Sequence, residues 1–198
     1  MSYQLEGELK EQAEAFGSIY YGLGFALLGI YALLAIPFKS YVQPFIVMGV
    51  IPFSIIGALM GHMIMGMTLS ISSVLGILAL TGVVVNDSLV LVDYTNRRRR
   101  EGMPLGDAIR KAGGARFRPI LLTSLTTFSG LLPLMFEKST QAQFLIPMAV
   151  SLGYGILFAT LLSLVLVPVS YLILEDVKRI FGYLHRLVFN LEKTQKEV

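Results

Sequence analysis

The feature that most limits the possible folds of this chain is a series of five long apolar segments. They cover residues 17–37, 42–65, 72–94, 119–136 and 144–174. A helix needs about 20 mostly apolar residues to cross a hydrocarbon core about 30 Å thick. Strands of a membrane barrel would instead alternate apolar and polar residues in pieces of about ten. The sequence therefore predicts an all-α membrane protein, a bundle of five transmembrane helices.

The composition excludes several other classes of protein. Apolar residues make up 55% of the 198-residue chain and charged residues 15%, whereas a soluble domain carries about a quarter charged residues. A net charge of +3 is too small for a nucleic-acid-binding protein. There is no cysteine, and the two histidines, His62 and His185, are far apart, so we expect no metal site. We expect no cofactor and no enzymatic activity.

The basic residues predict the orientation of the bundle. Five crossings place the turn at Lys39, the connection 95–118 and the tail 175–198 on one side of the membrane. Fourteen of the 16 Lys and Arg residues lie there, and only Lys10 and Lys138 lie on the other side. Such an excess marks the cytoplasmic side. We therefore expect an outward-facing N-terminus and a cytoplasmic C-terminus.

The segments outside the spans have distinct predicted roles. Residues 1–16 are acidic and predict a periplasmic amphipathic lead-in helix, with no basic region typical of a cleaved signal peptide. Residues 104–113 predict an interfacial amphipathic helix between the third and fourth spans, ended by Gly113 and Gly114. Residues 175–198 predict a basic cytoplasmic tail.

The arginine run at 97–100 follows the third segment and precedes a break at Gly102-Met103-Pro104. Its simplest interpretation is a topology anchor attracted to anionic lipid. A binding role for a nucleotide or a partner is the alternative.

Asp87 is the one ionisable residue deep inside a predicted span. An aspartate there costs about 2.5–3.5 kcal/mol on insertion scales, so its presence needs a reason. A carboxyl group that takes up and releases a proton or binds an ion could couple ion movement to transport. A carboxyl group that hydrogen-bonds a neighbouring helix would serve structure alone. The adjacent Asn86 and Ser88 supply polar partners in either case.

The fourth segment carries hydroxyl groups at Thr123, Ser124, Thr126, Thr127 and Ser129. Positions three and four residues apart share one face of a helix. These hydroxyls can bond back to their own helix or across to another. Facing Asp87, they could hold a chain of waters, so polar packing and a proton path both remain open.

Small and polar residues in other spans predict packing contacts. Gly57 and Gly61 form a GxxxG pattern in the second segment, and Gly76 and Gly82 lie in the third. Such glycines are typical of close helix contacts in lipid. His62, near the outer end of its span, is interpreted as an interfacial polar residue rather than a ligand.

Two stretches carry a resemblance to a known family. GVVVNDSLVLVDY at 82–94 and RRRREGMPLGDAIRKAGGARFRPILLTSLTTFSGLLPL at 97–134 resemble the resistance-nodulation-division (RND) superfamily of proton-driven exporters. The closest likeness is to the inner-membrane permease subunits of tripartite multidrug pumps, over about 18–181. In that comparison the chain is similar to the last five of twelve transmembrane helices, the C-terminal membrane half.

The resemblance also implies roles for particular residues. Members of this family use a proton relay to which this half contributes a lysine, an arginine and a threonine. Those positions correspond to Asn86, Arg116 and Thr123 here. The arginine and threonine match, whereas asparagine replaces the lysine, so the ionisable role falls to Asp87. Ser88, Ser124 and Thr127 form a supporting polar face.

The function implied is therefore part of an RND exporter of drugs or other amphiphilic solutes in the bacterial inner membrane. Implied partners are the N-terminal half of the permease, a periplasmic adaptor and an outer-membrane channel, with a homotrimer for the whole protein. We expect this chain by itself to be inactive. The alternatives are an RND-fold protein-export accessory, a lipid transporter, or a membrane scaffold without transport.

Overall fold

The computed structural model describes the backbone of residues 2–196 and the side chains of residues 17–19, 21–178 and 180. Within this part the chain forms helices and no strand. The α-helices are α1 (Ser2–Phe38), α2 (Gln43–Met48), α3 (Ile51–Met65), α4 (Ile71–Arg100), α5 (Leu105–Met135) and α6 (Ile146–Lys196). A short 3-10 helix, Ala142–Phe144, precedes α6. The all-helical fold class is confirmed.

Four stretches of the described chain are long and apolar enough to cross a membrane. They are Gly17–Phe38, Gln43–Met65, Ile71–Arg100 and Ile146–Lys178. The fourth predicted span, 119–136, lies in α5 and is not among them. The presence of several membrane-spanning helices is therefore supported, whereas the count of five and their orientation stay predictions.

The two ends of the chain continue the helices of the first and last spans. The predicted lead-in, 1–16, belongs to α1, and the tail 175–198 continues α6 as far as Lys196. No proline lies between Ser2 and Ile36 or after Pro168, so nothing interrupts either helix. The side chains of 1–16 and most of the tail lie outside the described residues.

The second predicted span is divided into α2 and α3 at Gly49 and Val50. Pro52 has no N–H group to donate to the carbonyl of Met48, and this missing bond interrupts the helix. The two short helices together still cover Gln43–Met65.

The break between α4 and α5 lies where the sequence places it. Helix α4 ends at Arg100, and Pro104 is the N-terminal cap of α5. Gly102 has a φ of +87°, a left-handed conformation that glycine adopts without a steric penalty. The expected break at Gly102-Met103-Pro104 is confirmed.

Helix α5 does not stop at Gly113 and Gly114. The predicted amphipathic helix 104–113 and the predicted span 119–136 join into the single helix Leu105–Met135. A glycine inside a helix costs only about 1 kcal/mol relative to alanine, and neither residue has a positive φ. The expected stop is therefore wrong, since packing of the long helix outweighs two weak glycine penalties.

Helix α6 is the central element of the bundle and packs against α3, α4 and α5. The side chains of Phe158 and Tyr154 lie directly over Gly57 and Gly61 of α3, as the GxxxG pattern predicts. The carbonyl oxygen of Met148 lies directly over Gly76 of α4. Gly82 differs, because no atom lies within 4 Å of the space a side chain would occupy there.

Candidate functional site

Asp87 lines a narrow crevice between α4 and α6. The crevice has no room for a water-sized sphere, and its lining residues are Val83, Val84, Asp87, Ile156, Ala159, Thr160 and Ser163. The α6 residues among them are spaced i, i+3, i+4 and i+7 from Ile156, so they form one face of that helix. Apart from Asp87, the polar side chains of the lining are the hydroxyl groups of Thr160 and Ser163.

The carboxyl group of Asp87 has no charged partner within the described residues. The ion pairs found there join Arg97 to Asp93, Arg98 to Glu101 and Arg99 to Glu175. Asp87 is partly buried, and an ionised carboxylate at this depth costs about 2.5–3.5 kcal/mol.

One predicted hydroxyl of α5 reaches the crevice through α6. Ser124 is buried, and its Oγ lies 2.5 Å from Oγ1 of Thr160. The Ser124 hydroxyl also donates to the carbonyl of Ile120 at 3.0 Å, which leaves Thr160 as the donor in the shared bond. Ser163 donates to the carbonyl of Thr160 at 3.0 Å. A short line of hydroxyl groups therefore connects α5 to the crevice.

The other threonines of α5 bond back to their own helix. Thr123 donates to the carbonyl of Pro119, and Thr127 donates to the carbonyl of Thr123, both at 2.9 Å. Thr126 donates in the same way to Leu122. None of the three lines the Asp87 crevice. The structure therefore does not bring Thr123 or Thr127 to Asp87.

The remaining predicted site residues lie apart from the crevice. Asn86 is exposed, and Ser88 is buried with no hydrogen-bond partner for its hydroxyl in the described part of the chain. The guanidinium of Arg116 lies over the Tyr94 ring, 5.3 Å from its centroid. Tyr94 is seven residues from Asp87, about 10 Å along α4 at 1.5 Å per residue.

Thr160 and Ser163 are site residues that the sequence analysis missed. They stand in FATLLSLVLVP, two hydroxyls three residues apart in the most apolar helix of the chain. That spacing was the available signal, since it puts both groups on one face. Nothing local to the sequence indicated that this face meets Asp87.

His62 holds α3 against α4. It is 3% exposed, with Nδ1 3.0 Å from the carbonyl oxygen of Ala58 and Nε2 2.8 Å from Oγ of Ser73. His62 therefore packs between α3 and α4 rather than facing water, and its position near the membrane interface stays a prediction. Among the residues searched, no group of three His, Cys, Asp or Glu side chains is placed to hold a metal ion.

An all-helical bundle whose described part contains four helical stretches long and apolar enough to cross a membrane is an integral membrane protein. Its sequence matches the AcrB/AcrD/AcrF family over residues 1–175. The chain belongs to that family and is therefore part of an RND permease, as its resemblance predicts.

A sequence relative and two solved structures agree with this assignment. The swarming motility protein SwrC of Bacillus subtilis (strain 168) is 31% identical over 180 residues, which is 90% of this chain and 17% of the relative. Crystal forms I and II of a heavy metal efflux pump each have a TM-score of 0.76 and 29% identity. They match 85% and 84% of this chain, and 17% and 16% of the pump. The chain thus spans about a sixth of the relatives it matches.

Proposed function

We propose that this chain forms part of the proton-coupled membrane domain of an RND exporter and that Asp87 is its proton-exchanging group. The observation that carries the proposal is the position of Asp87, which lines a crevice between two packed helices without a cationic partner in the described chain. Family membership supports a transporter over a catalytic enzyme.

The proposed coupling follows from the cost of a buried charge. When Asp87 is ionised, packing that admits water or a counter-charge between α4 and α6 is favoured. When it is protonated, the dry crevice is favoured, so protonation shifts the balance between two packing states. Moving one charge through 100 mV supplies about 2.3 kcal/mol, which corresponds to a bias of roughly 50-fold.

The other predicted relay residues lie at different places in the bundle. The Ser124–Thr160 contact brings a hydroxyl group of α5 to the edge of the crevice, whereas the Ser88 hydroxyl is buried outside the crevice. Asn86 is exposed and so faces away from the other helices of this chain. This position suits the family pattern in which that residue meets acids from the N-terminal half. Thr123 is also exposed and bonds to its own helix, so it is proposed to act toward the N-terminal half, whereas Arg116 packs on Tyr94 of α4.

The proposed cargo is a drug or another amphiphilic solute, and the proposed location is the bacterial inner membrane. The structural relatives are crystal forms of a heavy metal efflux pump, so a metal ion is a second cargo class to test. The N-terminal half of the permease, a periplasmic adaptor and an outer-membrane channel are the proposed partners, in a homotrimer. We expect the chain alone to transport nothing, because it would hold half of the relay.

The decisive variant is Asp87→Asn in the complete transporter. An amide cannot exchange a proton, so we expect flux in proteoliposomes under an imposed pH gradient to fall by roughly 50-fold, the bias that one charge supplies. Asp93→Asn is the matched control, since Asp93 lies on the same helix but is exposed and paired with Arg97. Full transport by Asp87→Asn would remove Asp87 from the coupling.

A spectroscopic titration separates the proposed role from a scaffold role. Difference infrared spectra of the transporter and of Asp87→Asn should contain a carboxyl signal that depends on pH in the parent alone. A carboxyl that keeps one protonation state from mildly acid to alkaline conditions would leave only the packing role. Flux of lipid or of an exported protein, rather than solute, would favour the alternative transporter classes.

A further inference from the structure

A polar cavity at the arginine-rich end of the bundle has no part in the proposed transport mechanism. Its volume is about 330 Å³, and its lining residues are Phe38, Gln43, Asn96, Arg99, Arg100 and Tyr171. These residues come from α1, α2, α4 and α6. The cavity therefore exists only where the four helices meet.

One wall of the cavity is a closed hydrogen-bond network. The Gln43 amide donates to Oδ1 of Asn96 and to the Tyr171 hydroxyl, both at 3.1 Å. The Asn96 amide donates back to Gln43 at 2.8 Å, and the Tyr171 hydroxyl donates to Oδ1 of Asn96 at 2.6 Å. Gln43 and Tyr171 are 8% and 3% exposed. These bonds fix a polar wall without adding charge.

The two arginines of the cavity differ in their partners. Arg99 binds the carboxylate of Glu175 through both terminal nitrogens, at 3.2 and 2.9 Å. Arg100 is exposed and forms no ion pair with any described residue. The two arginines and Glu175 together carry one net positive charge. A guanidinium fork matches the oxygens of a phosphate group.

We propose that this cavity binds the phosphate group of an anionic phospholipid. A single net positive charge matches the single negative charge of a phosphodiester, and would leave a phosphate dianion incompletely neutralised. In the predicted topology the bilayer side of the cavity is reached through Ile36, which precedes Phe38 in α1, and Phe45, which follows Gln43 in α2. These two side chains are 74% and 64% exposed and offer an apolar surface to acyl chains. Basic pockets between membrane helices suit such headgroups.

The four arginines at 97–100 therefore form two pairs with different surroundings. Arg97 pairs with Asp93, and Arg98 pairs with Glu101 and contacts Tyr94. Neither residue lines the cavity. If anionic lipid were attracted only by overall positive charge, all four arginines would contribute equally to binding. Binding in the cavity depends instead on Arg99 and Arg100.

The test measures phosphatidylglycerol binding to the 198-residue chain in detergent by native mass spectrometry. We expect Arg100→Gln to weaken binding about fivefold, which corresponds to about 1 kcal/mol per basic residue. Arg97→Gln is the matched control, since it removes the same charge from the same helix outside the cavity. It should change binding by less than about twofold, because Arg97 lies outside the cavity and its charge is paired with Asp93.

Three further results decide the proposal. Phosphatidylcholine, whose headgroup has no net charge, should bind more weakly to the parent chain and should be insensitive to Arg100→Gln. Excess inorganic phosphate should not displace phosphatidylglycerol; displacement would identify a site for free phosphate instead of lipid. If Arg97→Gln and Arg100→Gln weaken phosphatidylglycerol binding equally, the lipid is held by a general electrostatic attraction. That result would overturn the cavity site.

Discussion

Single glycine residues control how closely α6 approaches its neighbours. At Gly76 of α4, an added Cβ would lie 2.5 Å from the carbonyl oxygen of Met148 in α6. Backbone atoms cannot move aside as the end of a flexible side chain can. The contact between these helices therefore depends on the absence of a single methyl group.

We expect Gly76→Ala to destabilise the bundle by about 1–3 kcal/mol, the usual cost of overpacking. The control is Gly82→Ala in the same helix, where a Cβ would meet nothing within 4 Å. That change should alter stability by less than about 1 kcal/mol. Reversible unfolding in mixed detergent micelles measures both. Equal stability of the two variants would contradict the packing seen at Gly76.

The chemistry of the residues allowed one part of the candidate site to be predicted from the sequence, but not the rest. Asp87 is recognisable because an acid in an apolar helix is expensive wherever its neighbours lie. Thr160 and Ser163 are not, because a hydroxyl in a membrane helix can bond to its own backbone at little cost. Whether such a hydroxyl bonds to its own backbone or faces another helix depends on how the helix that carries it is rotated in the bundle.

At the scale of elements, α3 and α4 end next to glycines that take a left-handed backbone conformation. Gly66 at the end of α3 and Gly102 after α4 both have a positive φ, which stops a helix. Gly113 and Gly114 have the same side chain but helical conformations. The residue type alone does not distinguish these two uses of glycine.

Helix α5 provides the prediction at this scale. We expect the double substitution of Gly113 and Gly114 by alanine to preserve the fold and add up to about 1 kcal/mol per site, since alanine favours a helix. Gly66→Ala should instead destabilise the protein by about 1–2 kcal/mol, because an L-residue is strained at a φ of +64°.

Unfolding measurements on purified protein in detergent compare these variants, and circular dichroism checks their helix content. Destabilisation by the alanine pair to the same extent as Gly66→Ala would mean that the chain does turn at 113–114. The helix would then divide into an interfacial part and a span.

At the scale of the whole molecule, the orientation in the membrane remains the prediction made from the basic residues. The connection between α4 and α5 should face the cytoplasm, and the connection between α5 and α6 should face outward. The chain contains no cysteine, so single introduced cysteines report on each connection without interference.

We expect Ser139→Cys to react with a membrane-impermeant maleimide in intact spheroplasts, whereas Glu101→Cys should react only after the membrane is opened. Both positions are exposed, so burial does not explain a difference between them. The cysteine-free parent controls for background labelling. The reverse pattern would invert the topology, and labelling of both from outside would contradict a membrane crossing by α5.

The sequence by itself determined the helical membrane class, the family and the costly acid in the third span. These properties depend on hydropathy, motif spacing and charge, which are local along the chain. Only the tertiary structure decided that Asp87 lines a crevice together with Thr160 and Ser163, that α5 is continuous, and that Arg99 and Arg100 share a cavity with Gln43 and Tyr171. Such contacts depend on how each helix is rotated and crossed against the others, which is set by the packing of all side chains at once.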